Sequence, residues 1–247
     1  MSAGVAMGSS LCGERRCSKG KKPLCYPNCD FLDIEKQKAL NFYTTDKTPV
    51  RSYTRKNIGY LYAIQHGAKV IYETDDDNRS MDKLQRFDYG PECSGLEVGG
   101  QSLFNPYHHL GQSTQWPRGF PLTAVGNDST RRFRMNKDIK TALIQQGIVN
   151  GDPDVDATRK RADGELDVHF DHAAPTTLLL PGVFSPFDSQ NTLFHYDAFW
   201  GLLLPKSTTM RVCNIWRGYW AQRLLWEVDG RLAFPPPPLS KRLPKAE

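Results

Sequence analysis

The 247-residue chain lacks any apolar run approaching the roughly 18 residues that a membrane-spanning helix requires. It also lacks a G-x-S-x-G elbow, a G-x-x-x-x-G-K-[ST] loop and a G-x-G-x-x-G turn, which removes support for serine hydrolases, P-loop nucleotidases and Rossmann dehydrogenases. No internal repeat is present. Cysteine is sparse over the body: Cys12, Cys17, Cys25 and Cys29 crowd the first 29 residues, and only Cys93 and Cys213 follow. Of the crowded four, only Cys25 and Cys29 have the close spacing of a zinc-ligand pair, so free thiols in a poorly ordered leader are expected ahead of zinc or disulfides. Gly, Ser, Arg and Lys interrupt that leader throughout, so it holds no signal-peptide core.

The body also lacks an excess of positive charge. Residues 1–27 hold five Lys/Arg and one acid, and residues 231–247 hold four Lys/Arg and one acid. Those ends carry +7 against a net charge of +5, leaving the body slightly negative, so nucleic-acid binding is not expected. What remains is an ordinary globular composition, 39% apolar and 24% charged, long enough for one large domain or two small ones.

Asp33 to Leu40 reads as a short helix with an acid near its start. From Ser52 to His66, Tyr53, Ile58, Tyr60, Leu61 and Ile64 recur near helical spacing, and Gly67 stands where a helix ends. Lys69 to Tyr72 is a short strand, followed by Glu73, Thr74, Asp75, Asp76, Asp77 and Asn78. Residues 88–136 read as long loops around short strands, and Lys137 to Gln146 as a helix closed by Gly147. Thr176 to Leu180 is a buried strand, and Gly218 to Val228 an aromatic amphipathic helix. The Pro235 to Pro238 run opens a polar tail over 237–247.

The order helix, glycine, strand, acid cluster carries the argument. Open α/β sheets place ligands beyond the carboxyl ends of their strands. Alternate carboxylates there can face one Mn²⁺ or Mg²⁺ ion while leaving positions for substrate phosphates. A solvated acidic turn is the plain alternative, and an EF-hand lacks its glycine and terminal glutamate. His169 and His172, beside Asp171, have metal-pair spacing only if they lie on a helix. Trp216, Arg217, Tyr219 and Trp220 could form either a platform for sugars and bases or ordinary helix packing.

The segment Tyr60-Leu61-Tyr62-Ala63-Ile64-Gln65-His66-Gly67-Ala68-Lys69 with its acid cluster resembles the STELLO family of Golgi glycosyltransferases. The resemblance continues through Trp116-Pro117-Arg118-Gly119, Pro153-Asp154-Val155-Asp156, Asn191-Thr192-Leu193 and Arg217-Gly218-Tyr219-Trp220. More distantly it extends to reversibly glycosylated polypeptides that act as UDP-arabinopyranose mutases.

This resemblance implies a GT-A-like nucleotide-diphospho-sugar transferase fold over residues 30–236, a mixed central sheet flanked by helices, cut short at both ends. It implies a nucleotide-sugar donor, a glycan or protein acceptor, Mn²⁺ or Mg²⁺, protein partners in the Golgi and no membrane contact by this chain itself. It assigns the metal and diphosphate to Asp75, Asp76 and Asp77, with His195 as a distal metal or phosphate contact and Arg217 on the leaving diphosphate. Asp154 and Asp156 are the candidates for sugar hydroxyls, and Asp154, Asp156 or Glu227 for a general base. A non-catalytic assembly or trafficking factor and a sugar-nucleotide mutase are the alternatives.

Overall fold

The computed structural model describes residues 5–8, 30–75, 87–89, 92–126, 132–140, 142–156 and 167–237. For 5–8, 92, 132 and 136–140 it describes the backbone alone. The strands are β1 (Val5–Gly8), β2 (Val70–Thr74), β3 (Glu92–Gly99), β4 (Arg132–Lys140), β5 (Ile144–Gln146), β6 (Thr177–Leu179), β7 (Asn191–His195) and β8 (Leu232–Phe234). The α-helices are α1 (Ile34–Ala39), α2 (Lys56–Gln65), α3 (Pro106–His109) and α4 (Met210–Leu225). The strands form one sheet in the order β1-β2-β7-β5-β8-β6-β3-β4. Its pairings are mixed: β1 runs parallel to β2, whereas β7 is antiparallel to both β2 and β5. This is the α/β architecture expected from the sequence, a mixed sheet with flanking helices.

Local chemistry explains the helix boundaries. Asp33 caps α1 by accepting the Lys36 N–H at 2.8 Å. A 3₁₀ turn at Tyr53–Arg55 leads into α2, with Ser52 at its N-cap. At the other end Gly67 adopts φ +77°, and the Gly67 and Ala68 N–H groups return to Ile64 and Ala63. That pair of bonds is a Schellman cap, which favours glycine because the left-handed conformation crowds a Cβ.

The buried face of α2 differs from the one its apolar spacing suggests. Ile58, Tyr60 and Ala63 are buried, but so are Lys56 and Asn57, while Ile64 is exposed. The Asn57 amide brackets the Leu204 backbone, donating to its carbonyl at 2.9 Å and accepting its N–H at 2.8 Å. Polar groups at the start of the helix thus enter the interior because they have partners there.

Three expectations are corrected. Lys137 to Gln146 is not a helix: it spans the end of β4 and all of β5. β5 lies between β7 and β8, and its glutamines are satisfied by tertiary contacts that override their helical preference. Gln145 exchanges two bonds with the Asp88 backbone, and Gln146 accepts the Asp188 N–H and the Thr192 hydroxyl. Within residues 88–136, β3 is an eight-residue strand, longer than the short strands expected there. Helix α4 begins eight residues before the expected Gly218, leaving that glycine inside the helix.

The core fills both faces of the central strands, with Leu193 and Phe194 of β7, Ile144 of β5 and Leu178 of β6 fully buried. Cys93 and Cys213 are buried free thiols, and burial, with help from Asp88, pushes Cys93 up to about 12. Cys12, Cys17, Cys25 and Cys29 lie outside the described residues. No described helix is long and apolar enough to cross a membrane.

Candidate active site

Strand β2 ends at Thr74, opposite Asn191 at the start of β7. The loop entering β7 therefore lies across the carboxyl end of β2, and the Asp75 N–H donates to the Gln190 carbonyl at 3.3 Å. Lys56, from the first turn of α2, closes this corner. Its Nζ donates to Asp75 Oδ1 at 2.9 Å, the Tyr53 hydroxyl at 3.0 Å and the Ser189 carbonyl at 3.3 Å. The Tyr53 hydroxyl donates to the same Asp75 oxygen at 3.2 Å. Burial alone would lower the Lys56 pKa, but Tyr53, Glu73 and Asp75 outweigh it and hold the ammonium above its ordinary range.

Beneath this corner lies a fully buried ion pair. Arg217 Nη2 is 2.5 Å from Glu73 Oε1 and also donates to the Asp188 carbonyl at 2.9 Å and Ser189 Oγ at 3.1 Å. The Tyr60 hydroxyl donates to the other Glu73 oxygen. The guanidinium lies against the rings of Phe194 and Phe187, 5.1 and 5.5 Å from their centroids. Arg217 is 0% exposed, so the expectation that it grips a leaving diphosphate is corrected. Its charge is committed to Glu73 and to the loop at 187–189.

A second group centres on Arg118 and Asp154. A bridge between Pro117 and Val155 aligns Arg118 with Asp154, and the Arg118 N–H donates to the Asp154 carbonyl at 2.9 Å. The Arg118 side chain then forks onto the Asp154 carboxylate, Nε at 2.8 and 2.9 Å and Nη2 at 2.6 Å. Asp188 lies within electrostatic reach of that carboxylate. Asp188 is itself buried, accepting the Gln190 N–H at 2.9 Å while its own N–H goes to Gln146. Burial first, and the Asp154 carboxylate second, raise the Asp188 carboxyl well above the ordinary range.

Beside Arg118 and Asp188 opens a narrow cleft with room for little more than a water molecule, lined by Tyr107, Arg118, Gln146, Phe187, Asp188 and Gln190 among others. Gln190 lines the cleft and holds Asp75, so the start of the acid cluster adjoins it.

The structure thus draws Asp75 and Asp154 toward one corner of the sheet. Asp156, two residues beyond Asp154, is half-buried, while Asp76 and Asp77 lie outside the described residues. His195 pairs with Val70 at the other end of β2, roughly 13 Å along the strand from Thr74. There its Nε2 faces the Asp88 carbonyl and the Gln145 amide at 3.1 and 3.2 Å, and burial lowers its pKa. A metal contact shared between His195 and Asp75 is excluded by that separation. Glu227 is likewise removed, on a turn past the end of α4, in an exposed pair with Arg223. It lies roughly 15 Å along the helix from Arg217, too far to act as the base in this cleft.

His169 and His172 are exposed, and His169 pairs with Asp167 at 3.1 Å. Among the described residues no group of three or more His, Cys, Asp or Glu side chains could hold a metal ion. Asp75 by itself does not make a metal site, since Lys56 and Tyr53 already engage one of its oxygens.

No family model matches the chain. Over 223 residues it is 41% identical to the probable glycosyltransferase STELLO1 and 40% identical to the probable glycosyltransferase STELLO2, both of Arabidopsis thaliana. The aligned part covers 84% of this chain. The chain belongs to the STELLO family. It spans 29% of the length of these two STELLO relatives, and its mixed sheet with flanking helices is consistent with a glycosyltransferase-like fold. Asp188, Arg118, Lys56 and Tyr53 were not singled out by sequence reasoning. Arg118 stands in a motif of the resemblance without an assigned role.

Proposed function

We propose that this chain is the sugar-nucleotide-handling part of a glycosyltransferase, transferring a sugar from a nucleotide-sugar donor to a glycan or protein acceptor in the Golgi. The observation that carries this reading is the placement of Asp75: it follows the end of β2, held by Gln190 of the loop bearing Asp188, and Gln190 lines a cleft with Arg118, the partner of Asp154. The relatives' names support the same reaction class. In this reading Lys56 and Tyr53 fix Asp75, and Asp76 and Asp77 supply the ligands for Mn²⁺ or Mg²⁺ near the donor diphosphate. The described residues alone do not assemble that metal site. Asp154 remains the carboxylate best placed to meet a sugar hydroxyl, because Arg118 fixes its plane.

The test is release of free nucleoside diphosphate from UDP- and GDP-sugars by the purified chain, with an acceptor panel and with Mn²⁺ or chelator. Turnover that needs the ion and disappears in Asp75→Ala/Asp76→Ala supports the reading. Interconversion of the donor without acceptor points instead to a mutase.

A non-catalytic assembly role is the second reading, favoured by apolar side chains on the outer side of α4. Trp216 and Leu224 are 58% and 43% exposed, and Trp200 packs near Trp220 beside them. Folded protein that binds donor without turnover supports this reading.

A further inference from the structure

We propose that the outer side of α4, with the 3₁₀ segment Tyr196–Leu202 beside it, is a peripheral docking surface for an anionic lipid bilayer. The proposal goes beyond the reading of this chain as a sugar-nucleotide enzyme and does not depend on it. It replaces the expectation of no membrane contact, and a contact lying along the bilayer needs no spanning helix.

Val212, Trp216, Trp220 and Leu224 recur at every fourth position of α4 and so line one side of it over roughly 18 Å. Cys213, Arg217, Ala221 and Leu225, one position further on, are buried, while Trp216 and Leu224 are exposed. In the 3₁₀ segment, side chains three apart eclipse one another, which aligns Asp197, Trp200 and Leu203. All three are exposed, whereas Ala198, Phe199, Gly201 and Leu202 are buried. The segment packs on α4: a Cβ at Gly201 would stand 3.5 Å from the Ala221 Cβ, and the Trp200 and Trp220 ring centroids are 6.3 Å apart. The two lines therefore merge into one apolar surface. Contiguous exposed apolar surface with a polar rim marks an interaction site.

Its rim is cationic. Lys206 and Arg211 follow Leu203 and Met210 in sequence, and all four are exposed. The Lys206 ammonium donates to the Lys47 carbonyl at 2.9 Å, which brings in Lys47, itself 4.0 Å over the Tyr43 ring. Lys69 lies 4.8 Å over the ring of Tyr196, at the start of the 3₁₀ segment. Against these cations stand exposed Asp46 and Asp197, and Glu227, which Arg223 already pairs. Cations thus outnumber acids at this rim, although the body as a whole is slightly negative. An anionic bilayer complements that charge, and exposed aromatic rings accompanied by lysines are the composition of a membrane–water interface.

A bilayer fits this surface better than a protein partner does. The cations are spread around the apolar strip, so a protein would have to bury each one against a carboxylate of its own. Lipid headgroups instead form a continuous anionic layer in which ammonium groups on long stems stay hydrated. The Trp200 indole is already satisfied, its Nε1–H donating to the Asp197 carbonyl at 2.7 Å. It can therefore enter the boundary between headgroups and acyl chains without an unmet donor.

The test is co-sedimentation of the full chain with two kinds of vesicle, phosphatidylcholine alone and equal parts phosphatidylcholine and phosphatidylserine, in low and high salt. The same lipids with brominated acyl chains serve as quenchers of tryptophan fluorescence. The expected result is binding to the anionic vesicles about tenfold or more above that to phosphatidylcholine, weakened by salt, with quenching by the brominated lipid. Trp216→Ser/Leu224→Ser should lower that binding about tenfold or more, and Lys69→Glu/Lys206→Glu should abolish the preference for the anionic vesicles. A folded wild-type chain that stays in solution with both vesicles overturns the proposal, as does binding that both double variants leave unchanged. If Trp216→Ser/Leu224→Ser does not fold, the charge-reversed variant and the quenching still decide. A lipid-free dimer in sedimentation velocity that Trp216→Ser/Leu224→Ser abolishes gives the surface to a second copy of the chain and likewise overturns it.

Discussion

Arg217 and Glu73, 144 positions apart in sequence, meet at 2.5 Å with both side chains out of contact with water. The pair joins the middle of α4 to the inner face of β2 and supports the loop bearing Asp188. Removing one partner of such a pair leaves an uncompensated buried charge, which costs about 3–5 kcal/mol. Arg217→Met should lower the unfolding free energy by that amount, seen as a lower urea midpoint at unchanged slope. Adding Glu73→Gln, which removes the stranded charge but keeps an acceptor for Tyr60, should recover part of the loss. A single-variant loss below about 1 kcal/mol is the behaviour of a solvent-screened pair and contradicts this placement.

Gly218, the next residue along α4, lets the helix lie directly on the Phe187 backbone. A Cβ there would stand 2.4 Å from the Phe187 carbonyl oxygen. Gly218→Ala gains helix propensity of about 1 kcal/mol yet forces helix and loop apart. The expected net effect is a loss of about 1–3 kcal/mol, seen as a melting temperature lower by roughly 2–4 °C per kcal/mol. A more stable variant is the contrary result.

Asp188 should leave a signature in stability against pH. Its carboxyl holds a proton in the folded chain well above the 3.8 of an unperturbed aspartate. Between those limits the folded state binds more protons than the unfolded one, so stability falls as pH rises, by about 1.4 kcal/mol per pH unit where the difference is complete. Asp188→Asn should remove this contribution, and the difference between the two proteins' denaturation free energies across pH isolates it. Parallel curves contradict the assignment.

Much of the scaffold was legible from sequence. The Asp33 cap, the helix closed by Gly67, the strand after it and the Thr176 to Leu180 strand all rest on local signals, which a linear reading detects. The helix expected over Lys137 to Gln146 failed because Gln145 and Gln146 take their conformation from Asp88, Asp188 and Thr192, remote in sequence. The site divides the same way. Asp75 and Asp154 stand in acidic motifs that a linear reading singles out, whereas Asp188 acquires its character from burial and from Asp154. The resemblance implied a phosphate contact for Arg217, and an arginine among aromatics looks the same in sequence whether its head is exposed or sealed against Glu73.

Glu227 and Asp154 offer a paired comparison. Glu227 has a 62% exposed side chain and its partner, Arg223, is a surface residue, so Glu227→Gln should leave donor turnover within about twofold. Asp154→Asn, which weakens the Arg118 fork and the contact with Asp188, should reduce turnover by at least about tenfold. Steady-state rates on the same donor and acceptor check both, and the reverse ranking moves the chemistry away from the cleft.

The most direct test of the central claim is a thermal-shift titration of the purified chain with UDP- and GDP-sugars, with and without Mn²⁺, alongside Asp75→Ala/Asp76→Ala. A ligand that binds only the folded state raises the melting temperature, by an increment corresponding to about 2.7 kcal/mol at a hundredfold excess over its dissociation constant. The account predicts a rise that requires the metal and is lost in the double variant. A folded wild-type chain whose melting temperature does not respond to any donor, with or without Mn²⁺, contradicts it.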